Sequence, residues 1–472
     1  MHTVSLPKRK LEDGRVLHAT EVDLGANYIH GCDDYQPVLE IAIRGAHHAP
    51  VVAGGAHAES TTCARWFDPT TGQAVPWETL ADMHHLCWRA ADHMVHLANR
   101  ADENGVDLDV ESAFDEGLMH VLHRMGGRKL GATEKGIVDS IKGRAWGYVS
   151  RLSDTTVKLH KGEISGLRDM DAFHSASNIK REAKKMRDAM SRSRHPSILP
   201  ASKSAGKGDR LVLDGYRGLL IDKLANGLHI ELDQVVSHVG ASPGLCTTKT
   251  RGGSSYHSLF VIVTVPLGVL QGKHKDSAMI FYPPLTDKKL SAIGRMGMGV
   301  HNKIILRFSP DEIFWPGGVP QINCPDPRFS FLNLHAYGKE GVLLCHVFGS
   351  SLFAHGWDGM DDEDVVKQAL QCLWGMFPGT TAKPLDYLVT RWDEDPFSMG
   401  SYSFMPVGSK LWEDIKEIGS PHPPGPSEQH RIFFAGEAVS ISGWQCVHGA
   451  YETGMEAANS VITRLPFWAS SK

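Results

Sequence analysis

Between Gly215 and Ala225 the apolar residues Tyr216, Leu219, Leu220 and Leu224 recur at helical spacing and predict a helix. Ile230-Glu231-Leu232 and Val235-Val236, next along the chain, read as short strands. Leu259-Phe260-Val261-Ile262-Val263-Thr264-Val265 is rich in β-branched residues and stops at Pro266, the pattern of a fully buried strand. Lys303 to Phe308 and Gly341 to Val347 predict two more strands, and Asp364 to Phe377 a helix that stops at Pro378-Gly379. Strands alternating with helices over the C-terminal two-thirds argue for layered α/β architecture. Upstream, Met83 to Val95, Glu111 to Met125 and Gly136 to Val149 each carry helical spacing, so the stretch from about residue 76 to 195 is expected to be a helical subdomain.

Composition narrows the class without naming it. At roughly 100–200 residues per domain, 472 residues suggest two to four domains or two large interleaved ones. A chain that is 42% hydrophobic and 22% charged is not a disordered chain, a collagen-like fibre or a coiled coil. The formal charge of -5 gives no global attraction to a polyanion. The longest nearly apolar run, Leu259 to Leu270, is 12 residues, short of the roughly 18–20 that a bilayer crossing needs. The first ten residues have no apolar core behind their charges and do not read as a secretory signal. The chain is therefore expected to be soluble and cytoplasmic, with peroxisome and nucleus left open. Its eight cysteines are scattered, with no Cys-x-x-Cys pair, and read as reduced thiols rather than zinc ligands. There is no His-Glu-x-x-His helix, and no metal is expected. From Lys180 to Arg210, ten Lys/Arg stand against three Asp/Glu; this reads as a solvated helix and flexible insert, with a nucleic-acid contact as the alternative.

Three clusters carry candidate chemistry. Asp23-Leu24-Gly25-Ala26-Asn27-Tyr28-Ile29-His30-Gly31 is a short apolar strand in a Gly-bounded turn. Met296-Gly297-Met298-Gly299-Val300-His301-Asn302-Lys303 is a Gly-rich turn feeding a strand that opens with a lysine, which either snorkels at an edge or is held in a site. Arg431-Ile432-Phe433-Phe434-Ala435-Gly436-Glu437 is a buried strand ending in Gly-Glu, and Val447 to Ala458 is a helix with small residues on one face. A carboxylate at such a strand end can bond hydroxyls in a crevice, and a helix N-terminus offers N–H groups to an anion. Each cluster taken alone reads more readily as an ordinary strand-loop-helix packing unit than as a site.

Together and in this order they resemble the flavin-dependent amine oxidase family, which includes polyamine oxidases and lysine-specific histone demethylases. The motifs that carry the resemblance are Val263-Thr264-Val265-Pro266-Leu267-Gly268-Val269-Leu270, Asn302-Lys303, Arg391-Trp392-Asp393-Glu394-Asp395-Pro396-Phe397-Ser398-Met399-Gly400-Ser401-Tyr402-Ser403 and Phe434-Ala435-Gly436-Glu437. The resemblance implies a mixed α/β (α+β) fold in which a Rossmann-like FAD-binding domain is interleaved with a substrate domain of mixed sheet plus helices. The FAD part would use residues 1–50, 210–299 and 412–472, and the substrate part 51–209 and 300–411.

The same resemblance implies the site. Glu437 would meet the flavin ribityl region, Val447 would start a helix near the N1/C2=O edge, and the backbone at Val236 would hold the adenine. Trp392 and Phe397 would wall the flavin. Lys303 would reach flavin N5 through a water and assist reoxidation by oxygen. Tyr402 would be one wall of the pair that sandwiches the amine. The opposite wall falls at Cys446, where many polyamine oxidases have tyrosine. His30 matches a histidine of polyamine oxidases that histone demethylases do not keep. A polyamine and oxygen are the implied partners, with no membrane, nucleic acid or chromatin. Oxidation of methylated histone lysine is the alternative, and a non-catalytic family member the third reading.

The family opens with a βαβ unit carrying Gly-x-Gly-x-x-Gly and closes that region with Arg-x-Gly-Gly-Arg. No Gly-x-Gly-x-x-Gly occurs in this sequence. Gly14-Arg15-Val16 matches at most the final Gly-Arg, which makes Arg15 a candidate cofactor contact. The sequence is thus expected to begin about 45–50 residues into the family pattern. It would be either a truncated gene model of an active oxidase or a degenerate protein that binds FAD poorly.

Overall fold

The strand His301–Arg307 lies near one edge of the largest sheet in a computed structural model that describes residues 2–30, 37–43, 51–53, 64–104, 108–145, 210–213, 215–348, 357, 359–410 and 412–465. The chain forms two compact units. The first comprises Met1–Tyr35, Ala42–Leu219 and His301–Thr390; the second comprises Gln36–Ile41, Leu220–Val300 and Arg391–Lys472.

In the first unit seven strands run in the order Asp386–Val389, His301–Arg307, Val342–Phe348, Ser330–Asn333, Gln321–Asn323, Ala64–Asp68, Gln73–Ala74. All neighbours are antiparallel except Gln321–Asn323 beside Ala64–Asp68. Ile304, Ile305 and Leu306 and the facing Val342 to Cys345 are all buried, so both strands read as continuous apolar runs rather than alternating ones. One face of the sheet is covered from the chain's start. Leu6 and Val22, on the antiparallel pair Thr3–Leu6 and Thr20–Asp23, pack with Leu211 against Ile305, Leu332, Leu334 and Leu344. Lys303, Ile305 and Arg307 alternate along the strand and share a face. Buried Arg307 donates to the carbonyl oxygens of Pro7 (2.7 Å) and His18, so the covering segment is bound by main-chain hydrogen bonds as well as by apolar contact.

The helical subdomain is Trp77–Asn104, Val110–Arg124 and Ala132–Ala145. Asp109 caps the second helix by accepting from the Ser112 N–H at 2.7 Å. The first two helices come so close that a Cβ on Gly117 would overlap the Ala90 carbonyl. The end of the predicted 136–149 helix and the basic 180–210 stretch lie outside the described residues, apart from Arg210, which opens the strand Arg210–Val212.

In the second unit Ser255–Ser258, Leu245–Thr250 and Val236–Ser242 form an antiparallel meander, with Ile280–Tyr282 parallel to Val236–Ser242. Val261–Val263 pairs in parallel with Ile432–Phe434. Lys289 shows how a buried cation is tolerated. Its Nζ donates to the Glu417, Ile418 and Ser420 carbonyls at 2.6–2.8 Å, at the C-terminal end of the Trp412–Gly419 helix, and stands 4.4 Å from the centre of the Phe434 ring.

Two strand expectations need correction. The run from Leu259 to Val265 is a strand only over Val261–Val263, and Ile262 is 36% exposed. It has one strand neighbour among the described residues, so it is not buried on both sides. Ile230 to Leu232 is not a strand: Ile230 and Leu232 are 57% and 76% exposed, and no described strand pairs with them. β-Propensity without a partner leaves an extended loop. The Gly215 to Ala225 helix forms with a π-helical turn at Arg217–Ile221 before Asp222–Ala225.

Candidate active site

In the second unit the polar centre is Glu437. The strand Ile432–Phe434 ends, and Gly436 adopts φ +143, backbone that side chains other than glycine's rarely permit. Its N–H donates to Thr453 Oγ1 at 3.0 Å, tying the strand end to the helix Val447–Ile462. The Glu437 carboxylate then accepts three hydrogen bonds: Ser403 N–H to Oε1 (3.0 Å), Ser403 Oγ–H to Oε2 (2.8 Å) and Gln445 N–H to Oε2 (3.1 Å). Trp444 Nε1–H donates to Ser403 Oγ (2.9 Å) and Gln445 Nε2 to the Ser403 carbonyl (2.7 Å). Burial raises the Glu437 pKa, and the Ser403 and Gln445 donors oppose the rise. Gln445 stands at φ +64, and this strained turn delivers the chain to Cys446, the N-cap of the helix, which has no side-chain cap.

Tyr402 opens the strand Tyr402–Phe404 and faces Gly299 across an antiparallel pair. Burial pushes its phenol pKa well up, helped by Cys446 and Glu437, so it is a neutral hydroxyl. Trp392 is half-buried in a turn in which its carbonyl accepts from Gly400 N–H (2.8 Å) and Ser398 Oγ (3.1 Å). Phe397 is 52% exposed. Val236 begins the strand Val236–Ser242.

The Val447–Ile462 helix start is packed backbone to backbone. A Cβ on Gly449 would overlap the Gly443 carbonyl oxygen and come within 2.8 Å of Ser440 Oγ. Gly449→Ala must therefore displace the loop that carries Trp444 and Gln445. A loss of about 2–3 kcal/mol is expected, read as a lower thermal midpoint together with changed Trp444 fluorescence.

In the first unit the centre is Lys303, 3% exposed. Its Nζ donates to the Asp23 carbonyl (3.1 Å), the Gly25 carbonyl and Asn27 Oδ1 (3.1 Å). Burial lowers its pKa to about 7, with Asp23 pulling the other way. The Lys303 N–H donates to Thr390 Oγ1 (2.8 Å), whose own hydroxyl donates to Asn302 Oδ1 (3.0 Å). The Asp23 carboxylate accepts from Thr3 Oγ1 (2.6 Å) and from Tyr216 N–H (3.1 Å). His346 faces Lys303 across the sheet and hydrogen-bonds His301 at 2.9 Å between Nδ1 and Nε2. Burial, and then Lys303, pushes His301 down to about 3, so this imidazole is neutral.

The predicted residues thus fall into separate groups. Glu437 and the Val447 helix start share one network through Gln445, and Tyr402 adjoins it through Ser403. Lys303 is tied to the segment that carries His30, which is exposed, with its ring 6.2 Å from that of Tyr28. Arg15 belongs to neither group: it is exposed on a hairpin turn and ion-paired with Asp13 (2.5 Å) and Asp311. Sequence reasoning missed Asn27, Ser403, Trp444, Gln445 and the His301–His346 pair. Ser403 lies inside a matched motif; the positive φ of Gln445 has no signal in its residue type.

One unit thus carries a mixed sheet with an appended helical bundle, and the other a buried carboxylate beside a helix start whose N-cap side chain makes no cap. Residues 11–462 match the family described as flavin containing amine oxidoreductase, and the chain belongs to that family. It is 38% identical over 258 residues to polyamine oxidase 5 of Oryza sativa subsp. japonica, covering 53% of this chain and 48% of that protein. It is 31% identical over 271 residues to human lysine-specific histone demethylase 2, covering 54% and 30%. The chain spans about half the length of the polyamine oxidases it matches. A redesigned triple mutant of putrescine oxidase superposes with a TM-score of 0.61 at 14% identity, over 98% of this chain and 90% of that one. That similarity extends the shared fold over nearly the whole chain.

Proposed function

We propose that the protein is an FAD-dependent amine oxidase acting on polyamines, with oxygen as acceptor and hydrogen peroxide as product. The observation that carries the reading is the Glu437 network. A carboxylate with three protein donors keeps one acceptor direction for a hydroxyl, as a ribityl chain offers, and the positive end of the Val447–Ile462 helix dipole suits an anionic edge. The residues present thus fit the flavin end of the cofactor. Bound FAD supplies the two-electron acceptor that amine oxidation requires.

In this reading Glu437 holds the ribityl region, the Val447 helix start steadies negative charge, and Val236 supplies backbone to the adenine. Trp392 and Phe397 wall the ring. Tyr402 offers a neutral aromatic face to the amine, opposite Cys446. Lys303 holds a proton at Nζ close to neutrality, and His30 contributes to polyamine recognition. By role rather than compactness, residues 1–50, 210–299 and 412–472 serve the cofactor, and 51–209 and 300–411 the substrate. The rice polyamine oxidase relatives support the substrate class.

A neutral amine is the reactive form, because a protonated nitrogen has no lone pair to drive C–H cleavage. Peroxide release from spermine or spermidine should therefore rise with pH through the substrate's pKa. The purified protein should absorb near about 450 nm, as oxidised flavin does. A colourless folded protein, even with added FAD, would overturn the proposal in favour of a non-catalytic role. Cys446, which is not aromatic, favours a second reading: turnover of a methylated histone-tail peptide without turnover of spermine would establish it instead.

A further inference from the structure

Lys303 and Asn27 meet inside the first unit in a geometry that fixes the orientation of the amide. The ammonium has three N–H donors and no acceptor, and three oxygens receive them: the Asp23 and Gly25 carbonyls and Asn27 Oδ1. The Asn27 carboxamide must therefore turn its oxygen to Lys303. Its other end, Nδ2, is then buried without a hydrogen-bond partner among the described residues, in a residue 8% exposed. A buried donor left over beside a fully satisfied cation is a poor arrangement for a group that is always charged. It is a good one for a group that changes charge.

A neutral lysine has two N–H donors and one lone pair. Two carbonyls can keep the donors, and the lone pair then needs a donor where Asn27 had offered an acceptor. Rotation of the carboxamide by half a turn about χ2 supplies it, with Nδ2–H in place of Oδ1. We infer that Asn27 is a positioning residue that holds Lys303 in either protonation state, so that the lysine can change charge without moving. Aspartate would serve only the cation, and leucine neither form. The inference rests on the reading of Lys303 as the site lysine of an amine oxidase and deepens it.

The surroundings agree. Burial brings Lys303 to about 7, within reach of a change of charge at working pH. The other titratable groups around it are Asp23, held by Thr3 and Tyr216, Lys339, which acts on Asp23, His301 on its own strand, and His346 on the neighbouring strand, the two imidazoles hydrogen-bonded to each other. Burial holds both imidazoles well below the usual histidine range, so neither competes for the proton near neutrality.

The test is an NMR titration of the full chain labelled at lysine Cε, in the absence of substrate, with the Lys303 signal assigned by its loss in Lys303→Met. The wild-type midpoint should lie near neutrality. Asn27→Asp should raise it by about one unit or more, and Asn27→Leu should lower it. Asn27→Gln, which keeps both amide ends, should stay close to wild type and keeps the test open if the leucine variant does not fold. Midpoints for Asn27→Asp and Asn27→Gln within about 0.3 unit of each other, or a wild-type midpoint at an ordinary lysine value, would overturn the inference. Absence of flavin or of peroxide release would remove the oxidase reading while leaving this titration standing.

Discussion

Lys303→Met is expected to slow oxidation of a polyamine by about 10²–10⁴, the range in which a single positioned proton-bearing group acts. Stopped-flow recovery of the flavin band after anaerobic reduction is the direct measurement, and unchanged recovery would remove Lys303 from the mechanism. The substitution has a second signature that needs no cofactor. The Lys303 pKa falls from 10.5 to about 7 on folding. Between these values the unfolded chain holds a proton that the folded chain does not, so this lysine makes stability rise with pH by about 1.4 kcal/mol per unit. Below about 7 both states are protonated and the contribution is flat. Methionine abolishes the slope. Lys289, lowered to about 8, contributes a similar rise from its own midpoint upward, but it is present in both proteins and cancels in the difference. At pH 6 the variant loses a buried charge but strands the Asp23 and Gly25 carbonyls and Asn27 Oδ1, so the two proteins should differ least there in apparent thermal midpoint.

Glu437→Leu is expected to cost about 3–5 kcal/mol and to abolish flavin retention. Leucine has similar bulk but leaves the Ser403 and Gln445 N–H groups without their acceptor, at roughly 1–3 kcal/mol for each buried group, and frees the Ser403 hydroxyl that Trp444 reaches. Glu437→Gln keeps one acceptor oxygen and should fall between the two. The comparison is made by thermal midpoint and by flavin content after gel filtration. A leucine variant as stable and as yellow as the parent would show that the network is dispensable.

How far the residues announced these features depends on what kind of constraint each obeys. The helices Val110–Arg124 and Asp362–Met376 were legible because their apolar spacing, and the Pro378-Gly379 stop of the second, are local. Lys303 to Phe308 was legible as a strand for the same reason, but its place in a seven-stranded sheet depends on partners at 342–348 and 386–389 that no local pattern names. Ile230 to Leu232 misled because propensity describes a residue's fit to a sheet and not the presence of one. The chemistry divides in the same way. Glu437 and Lys303 were visible in matched motifs, whereas Asn27 was invisible, because an asparagine in a Gly-bounded turn reads as turn chemistry until the lysine is seen against it.

The parallel pairing of Val261–Val263 with Ile432–Phe434 has a consequence for the order of events on the ribosome. The two strands are about 170 residues apart, so at roughly 5–20 residues per second the earlier strand waits some 10–30 s for its partner. The whole of His301–Thr390, which belongs to the other unit, is made in that interval. The first unit can therefore close while the second is still open, and the apolar edge at Val261–Val263 is exposed to other nascent chains throughout. Yield on expression should depend on holdase chaperones more than on the stability of the finished protein, and chains ending before Ile432 should aggregate with their first unit already folded.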